Sequence, residues 1–256
     1  MAESEASGGS PRRGRLYGVG VGPGDPELLT LKAVRVIREA DCVAVPDSGS
    51  GRRMARGIVS QWLDGQEVID CATPMTSDAA VPGRAHDAIA ARLASRLDEG
   101  RDVAMVVLGD VCVYSTFFYV CDRLRPRGYE VELVPGVTSF SAAAARLCQP
   151  LCEGSESLLV TPASADGLDG RLDAARGLAE NLVLMKPPRD LAALEGSLEG
   201  RGLLEGASLV SDLGLPTERV VPRLADLEGP TGYLSLVLVR GAAARAARGH
   251  QGEKDA

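Results

Sequence analysis

The sequence predicts an α/β protein made of two α/β domains. The chain has 256 residues, enough for two small domains with a substantial core. In its first half, apolar strand-like runs alternate with segments of helical spacing. The run Val103–Leu108 is apolar throughout, as expected of a strand buried on both faces of a parallel sheet. The final strand-like segments, 207–212 and 233–240, suggest a mixed sheet in the second half.

The predicted helices of the first half each carry apolar residues on one face. In Leu31–Ala40 these residues recur at helical spacing, and Thr30 is the expected N-cap. In Arg84–Glu99 they also share one face, and Gly100 follows as a stop signal. The other elements expected in this half are strands at 16–21, 42–46, 66–71, 103–108 and 130–134, and helices at 53–63 and 139–147.

The second half continues as strands at 157–162, 182–186, 207–212 and 233–240, with helices near 169–180 and 190–200. Two prolines follow residue 186 and must end the strand there. We predict an N-terminal domain over 15–136 and a C-terminal domain over 137–245. Residues 1–14 and 246–256 are polar and are expected to be disordered tails.

Composition excludes several classes of protein. The net charge of −7 and the 4% aromatic content argue against a nucleic-acid partner. No apolar run is long enough to span a membrane, and the polar N-terminus does not resemble a secretory signal. Six cysteines without a C-x-x-C pair, beside only two histidines, predict reduced thiols in a cytoplasmic protein and no bound metal. The high arginine content relative to lysine indicates a GC-rich genome.

A turn rich in glycine and proline follows the first strand and leads into a helix, which is a common way to bring backbone N–H groups close to a small ligand. It fits the dinucleotide motif G-x-G-x-x-G poorly. If the motif starts at Gly18, its third glycine falls at Pro23, and if it starts at Gly20, that glycine falls at Asp25. Asp47, just past the second strand, is nevertheless an acidic residue that could hold a ribose. A dinucleotide-dependent reductase therefore remains the alternative from a different class.

Two acidic residues follow predicted parallel strands, where ligand sites tend to form. Asp47 begins a polar loop that is either a simple connection or part of a substrate mouth. Asp110 ends the central strand and can anchor a cation or a hydroxyl. It can equally cap a helix that begins near Tyr114, and the two roles are compatible.

Short hydroxyls and cations mark two later strand ends. Thr138 and Ser139 follow a strand and can simply cap the alanine-rich helix. Lys186 and Arg189 can be solvated surface charges, or a pair of cations suited to a substrate that carries many carboxylates. His86, in a predicted surface helix, and His250, in the tail, form no convincing catalytic triad.

The segment Tyr17-Gly-Val-Gly-Val-Gly-Pro-Gly-Asp-Pro-Glu-Leu-Leu-Thr30 resembles the opening motif of the tetrapyrrole methylases. Within that family the chain is most similar to the precorrin-2 C20-methyltransferases and their cobalt-factor II counterparts. Residues 111 and 112 depart from the usual pattern, with Val and Cys where relatives often carry proline and a small polar residue. The resemblance covers about residues 15–240, and the other landmarks occur in order: Pro74-Met-Thr76, Leu108-Gly-Asp110, Tyr114-Ser-Thr116, Val134-Pro-Gly-Val-Thr-Ser139, Leu184-Met-Lys186, Arg189 and Tyr233-Leu-Ser-Leu236.

The resemblance implies that S-adenosylmethionine donates a methyl group in a cleft between the two domains, without a metal. The implied acceptor is a reduced tetrapyrrole, and the implied assembly is a homodimer. The arginine-rich composition indicates a GC-rich genome, and the metal-free route is expected to be common in organisms with such genomes. Metal-free precorrin-2 is therefore favoured over cobalt-factor II as the acceptor. A non-catalytic binding protein of the same fold is a third hypothesis. No catalytic residue is implied. The implied donor contacts are Pro23, Gly109, Asp110, Val113, Tyr114, Thr138, Ser139 and Met185, and the implied substrate contacts are Tyr17, Asp47, Lys186 and Arg189.

Overall fold

The structure is a computed structural model that describes residues 12–47, 54–72, 80–164, 166–188, 190–232 and 234–241. The chain divides into two compact units between Val137 and Thr138. This division falls one residue after the expected domain boundary. The predicted motif Pro74-Met-Thr76 and the predicted substrate residue Arg189 lie outside the described residues, as does Tyr233.

The first unit contains a five-stranded sheet in the order β3-β2-β4-β1-β5, and all of its strand pairs are parallel. The strands are β1 (Leu16–Gly20), β2 (Cys42–Asp47), β3 (Glu67–Ala72), β4 (Val103–Val107) and β5 (Val131–Val134). The helices are α1 (Leu31–Glu39), α2 (Met54–Val59), α3 (Ala80–Asp98) and α4 (Phe117–Leu124), with short 3-10 turns at Pro26–Leu28, Ser60–Trp62 and Arg125–Arg127.

The helices cover both faces of this sheet. Apolar residues of α3 and α4 pack with one set of strand residues, and those of α1 and α2 pack with the alternate set. Central strand β4 contributes to both cores, since Met105 faces α3 and α4 while Val106 faces α1 and α2. The neighbouring strands β1 and β4 are therefore followed by helices on opposite faces. Such an arrangement opens a crevice at the carboxyl edge of a parallel sheet, which is where ligands usually bind.

Local sequence accounts for the start of α1. The Oγ1 atom of Thr30 accepts a hydrogen bond of 3.1 Å from the N–H of Ala33, so the predicted N-cap is confirmed. The Asp25 carboxylate accepts one of 2.8 Å from the N–H of Glu27 and caps the preceding 3-10 turn. Both caps lie in the glycine- and proline-rich segment, which is therefore held in a defined conformation.

The first domain begins before residue 15, the start predicted from the sequence. Residues 12–14, which were assigned to the disordered tail, contact the first unit. The N–H of Gly14 donates to the carbonyl of Leu97 at 2.8 Å. Arg13 pairs with Asp98 at 3.2 Å, and its guanidinium carbon lies 4.8 Å from the ring centroid of Tyr129. The chain is thus fastened to the amino edge of the sheet before β1 begins.

The second unit contains a mixed sheet in the order β6-β7-β10-β8-β9. Strands β6 and β7 are parallel, whereas β10 runs antiparallel to β7 and β8, so the predicted mixed sheet is confirmed. The three-residue strand β9 was not predicted, because it is too short to show a pattern. The elements are β6 (Leu158–Pro162), β7 (Asn181–Met185), β8 (Ala207–Ser211), β9 (Arg219–Val221), β10 (Ser235–Val239), α5 (Ser139–Arg146), α6 (Leu168–Ala175) and α7 (Ala192–Glu199).

Glu67, on edge strand β3, pairs with Arg96 of α3 and with Arg101 of the loop between α3 and β4. Its carboxylate accepts hydrogen bonds from Arg96 at 2.9–3.1 Å and from Arg101. These charge-assisted bonds lower the pKa of Glu67 to about 2. One third of the Glu67 side chain is exposed, so solvent screens part of the effect.

We expect Glu67→Gln to lower the melting temperature at pH 7. We also expect the melting temperature of this variant to change less than that of the wild type as the pH falls from 7 to 3. The folded-state pKa lies below the unfolded value of about 4.3. The wild type therefore holds this stabilisation fully above about pH 4.3 and loses it as pH falls towards the folded-state value. Thermal unfolding of both proteins between pH 3 and 7 measures the effect. A constant difference in melting temperature across that range would contradict it.

Candidate functional site

Three loops meet at the carboxyl edge of the first sheet, where β4, β1 and β5 end side by side. The loop after β1 pairs with the loop after β4 through an isolated bridge between Gly22 and Gly109. The N–H of Gly22 donates to the carbonyl of Gly109 at 3.1 Å, and the N–H of Gly109 donates to the carbonyl of Gly22 at 2.7 Å. Predicted donor residue Pro23 is buried directly beside this bridge.

The loop after β5 approaches the other two so closely that side chains are excluded. A Cβ atom on Gly136 would lie 2.3 Å from the carbonyl oxygen of Gly109. A Cβ atom on Gly20, the last residue of β1, would lie 2.7 Å from the nitrogen of Gly136. All the clashing atoms belong to the backbone and cannot rotate away. Sequence reasoning found these glycines as parts of motifs, but the contacts between them became visible only in the fold.

Asp110 fastens two of these loops. Its Oδ1 accepts a hydrogen bond from the N–H of Cys112 at 2.8 Å, and its Oδ2 accepts one from the N–H of Gly136 at 2.8 Å. The alternative role of Asp110 as a helix cap is wrong, because α4 begins only at Phe117. The N–H of Phe117 donates instead to Ser115 Oγ at 3.1 Å.

Predicted donor residues Val113 and Tyr114 lie in the same loop. The N–H of Val113 closes a turn on the carbonyl of Asp110 at 3.4 Å. Tyr114 has a φ of 50°, a left-handed conformation that is strained for a residue with a side chain, and its side chain is 46% exposed. Strain retained in an exposed loop is a mark of functional sites.

The predicted substrate residues of the first unit occupy different places. Asp47 is the last residue of β2 and lies half-buried at the carboxyl edge. Tyr17 pairs with Ala104 and Glu132 in the amino half of the sheet, and it packs on the α1 and α2 face beside Arg15. Its position gives no support for contact with a ligand at the carboxyl edge.

The remaining predicted residues belong to the second unit. Thr138 is the N-cap of α5, since its Oγ1 accepts from the N–H of Ser141 at 3.3 Å, and Ser139 is the first residue of that helix. The capping role considered for Thr138 is therefore confirmed. Met185 ends β7, and exposed Lys186 follows it with a φ of 55°.

Asp212, which sequence reasoning did not single out, follows β8 in a similar way. It has a φ of 50°, is buried, and accepts a hydrogen bond of 3.0 Å from Thr217 Oγ1. A Cβ atom on Gly232 would lie 2.5 Å from its carboxylate. No motif in the sequence marks Asp212, because an isolated aspartate before a turn is ordinary.

His86 is buried, so its predicted surface position is wrong. Its ring stacks on Tyr119 with centroids 4.9 Å apart, and only 7% of the residue is exposed. Burial, with a smaller effect of Arg123, lowers the pKa of His86. The residue thus belongs to the packing of α3 against α4, and it lies on a face of the sheet rather than among the glycine loops.

Two cavities lie away from the glycine-lined edge. One of about 330 Å³ lies between β3 and α3, and one of about 380 Å³ lies in the second unit beside α7. No group of three metal-binding side chains occurs among the described residues. Across those same residues, every helix is too short or too polar to cross a membrane.

Comparison with known proteins defines the class. The family of Tetrapyrrole (Corrin/Porphyrin) Methylases matches residues 15–228, and this chain belongs to that family. The resemblance predicted from the ordered motifs is therefore confirmed, as is the fold of two α/β domains.

Within the family, two relatives of nearly the same length are named as C(20)-methyltransferases. The chain is 34% identical over 230 residues to a cobalt-precorrin-2 C(20)-methyltransferase of Salmonella typhimurium, covering 88% of this chain and 96% of that protein. It is 34% identical over 245 residues to a precorrin-2 C(20)-methyltransferase of Sinorhizobium sp, covering 89% and 96%. It is also 37% identical over 243 residues to the cobalamin biosynthesis protein CobIJ of Mycobacterium tuberculosis, covering 91% of this chain. The chain spans about half of CobIJ, 47% of its length.

Solved structures agree on the fold. A uroporphyrin-III-C-methyltransferase from Thermus thermophilus superposes with a TM-score of 0.66 at 31% identity, covering 94% of this chain and 98% of that one. A cobalt precorrin-4 methyltransferase superposes with a TM-score of 0.69 at 23% identity, covering 90% and 95%. A uroporphyrin-III C-methyl transferase from Thermus thermophilus solved in complex with S-adenyl homocysteine superposes with a TM-score of 0.65 at 24% identity, covering 91% of this chain and 94% of that one.

Proposed function

We propose that this protein transfers the methyl group of S-adenosylmethionine to C20 of precorrin-2 and forms precorrin-3A in cobalamin biosynthesis. The observation that carries the proposal is the match to two C(20)-methyltransferases over 96% of the length of each. The glycine-lined edge of the first sheet supports it, because three loops converge there with no side chain at Gly20 or Gly136, beside a strained loop at the carboxyl edge.

The donor contacts are proposed separately for each unit. In the first unit, the carbonyl oxygens of Pro23 and Gly109 and the carboxylate of Asp110 retain acceptor capacity, and Val113 and Tyr114 belong to the same loop as Asp110. In the second unit, Thr138, Ser139 and Met185 are the proposed donor contacts, at the start of α5 and the end of β7. Lys186 and Arg189 are proposed to pair with acceptor carboxylates, and Asp47 to face the acceptor.

The chemistry asks little of acidic or basic side chains. The acceptor carbon attacks the methyl carbon in line, the bond from that carbon to sulfur breaks, and S-adenosylhomocysteine leaves with the electron pair. The sulfonium is already a good electrophile, so the protein has mainly to align the two reactants and exclude water. The site is proposed to work without a metal, since no step requires one.

Turnover with precorrin-2 tests the proposal directly. Mass spectrometry should show an acceptor in which one methyl group has replaced one hydrogen, a net gain of CH2, and NMR should place that methyl at C20. Calorimetry should detect binding of S-adenosylhomocysteine and no binding of a nicotinamide nucleotide. Nucleotide binding without methyl transfer would favour the reductase, and donor binding without turnover on any precorrin would favour a non-catalytic binding protein.

We propose metal-free precorrin-2 as the preferred acceptor. The two nearly full-length relatives named above differ on this point, one being named for cobalt-precorrin-2 and the other for precorrin-2. The arginine-rich composition supports the metal-free form, because it indicates a GC-rich genome and the metal-free route is expected in organisms with such genomes. A competition assay with both acceptors measures the ratio of their kcat/KM values, and a higher value for the cobalt form would reverse the assignment.

We expect no single side chain to act as an essential general base. The acceptor carbon belongs to an electron-rich, enamine-like system, and its proton need leave only after the new bond forms, to water or to a carboxylate of the substrate. A general base typically contributes about 10²–10⁴-fold. Tyr17→Phe, Asp47→Asn, Tyr114→Phe and Lys186→Met should each cost less than about a thousandfold in the single-turnover rate. Asp47 is the candidate exception, because it lies at the carboxyl edge. A larger loss with both ligands bound normally, together with a changed pH profile, would identify a base.

We propose a cytoplasmic homodimer. The apolar stretch Tyr114–Tyr119 can contribute to an interface or form an ordinary core helix. Within it, Phe117 is buried in the core, whereas Tyr119 is 56% exposed. All six cysteines are free thiols, which fits a reducing compartment. Light scattering at micromolar concentration is expected to report twice the chain mass of 26.7 kDa. A mass equal to one chain at that concentration would contradict the dimer.

A further inference from the structure

Asp110 connects loops that belong to strands which are not neighbours. Strand β1 lies between β4 and β5 in the sheet, and Asp110 follows β4 while Gly136 follows β5. The bond from the Gly136 N–H to the carboxylate therefore passes over the end of β1. It can do so because Gly20, the last residue of β1, has no side chain there.

The same carboxylate also shapes its own loop. Oδ1 accepts the N–H of Cys112 while Oδ2 accepts that of Gly136, both at 2.8 Å. Hydrogen bonds to a charged acceptor are stronger than neutral ones, and two of them on one side chain restrict it strongly. Asp110 thus restrains both the conformation of the β4 loop and its distance from the β5 loop, in addition to the bridge between Gly22 and Gly109.

We infer that Asp110 is a positioning residue, which holds the backbone of the β4 and β5 loops in their binding arrangement before the donor arrives. This inference rests on the proposed function, because it assumes that the donor binds at this edge. A preformed site does not have to order these loops when the ligand binds, so fastening them raises affinity without adding a contact. A direct contact between Asp110 and the donor is a different role, since it would leave the donor-free loops unchanged on substitution.

Two variants separate these roles in the donor-free protein. Asp110→Ala removes both hydrogen bonds, whereas Asp110→Asn keeps one acceptor oxygen and turns the other atom into a donor. Amide hydrogen exchange of Gly136 and Cys112, resolved by residue, reports the fastening, and calorimetry reports the affinity for S-adenosylhomocysteine. Asp190→Ala is the matched control, because the Asp190 carboxylate accepts a local N–H, that of Ala192 at 3.1 Å, and no cross-loop bond to it is seen among the described residues.

In Asp110→Ala, amide exchange at Gly136 should accelerate by about 10- to 150-fold, and the affinity for S-adenosylhomocysteine should fall by a similar factor. Asp110→Asn should lie between Asp110→Ala and the wild type in both measurements. The control should change neither. Unchanged exchange at Gly136 with lost affinity would assign a direct contact only and overturn the inference. Accelerated exchange with unchanged affinity would overturn it as well, since the fastening would then not serve the donor. A wild type that does not bind S-adenosylhomocysteine would contradict the proposed function itself, while the exchange data would still report whether Asp110 fastens the loops.

Discussion

Gly136→Ala is expected to weaken binding of S-adenosylhomocysteine by about 10- to 100-fold, because overpacking typically costs about 1–3 kcal/mol. The added methyl would lie 2.3 Å from the Gly109 carbonyl oxygen and 2.7 Å from the carbonyl carbon of Gly20. All three loops at this edge would have to move apart. Their movement would also stretch the hydrogen bond from the Gly136 N–H to Asp110. The substitution would therefore disturb both the proposed donor site and the hydrogen bond that holds its loops together.

Calorimetry of ligand binding and thermal unfolding together measure this effect. Gly57→Ala is the matched control, since Gly57 lies exposed in α2 and nothing is within 4 Å of a Cβ placed there. The control should bind normally and should be as stable as the wild type or slightly more stable, because alanine favours a helix. Normal binding by Gly136→Ala would show that the glycine-lined edge is not the donor site.

Phe117→Ala should lower the free energy of unfolding by about 3–5 kcal/mol, the usual loss for a fully buried phenylalanine. Phe117 begins α4, is 0% exposed, and packs in the core between α4, α3 and the sheet. Its ring lies directly on β1, where a Cβ atom on Gly18 would be 2.7 Å from a ring carbon. Removing the ring leaves a cavity beneath the strand that leads into the glycine-rich turn.

Urea denaturation followed to completion measures this loss. Leu178→Ala is the control, because Leu178 is 72% exposed and its replacement should change stability by no more than about 0.5 kcal/mol. Gly18→Ala alone should also destabilise the protein by overpacking. In the double variant the new methyl enters the space left by the ring, so the double loss should be smaller than the sum of the two single losses. Additive losses would show that the ring does not lie on Gly18.

Local patterns in the chain predicted much of the fold correctly. The continuous apolar run at Val103–Leu108 identified the central strand, since only a strand buried on both faces has no polar position. Thr30 was predicted to cap α1 because a hydroxyl before an amphipathic segment satisfies a free N–H. The order of the glycine and proline motifs identified the family. Each of these signals lies within a few neighbouring residues, so the sequence alone is enough to recognise it.

Other features follow from contacts between distant parts of the chain, which no local pattern contains. Asp110 resembled a helix cap, and only the placement of β5 beside β1 showed that its partner is the N–H of Gly136. His86 resembled a surface residue until the packing of α4 on α3 buried it under Tyr119.

The sequence by itself therefore determined the type of each main element, the family and the stretches that carry candidate residues. The tertiary structure decided the strand order, the exclusion of side chains at Gly20 and Gly136, and the position of Tyr17 away from the carboxyl edge. The physical reason is that helix caps and hydrophobic periodicity act over a few residues, whereas steric exclusion and hydrogen bonding between loops depend on which strands become neighbours.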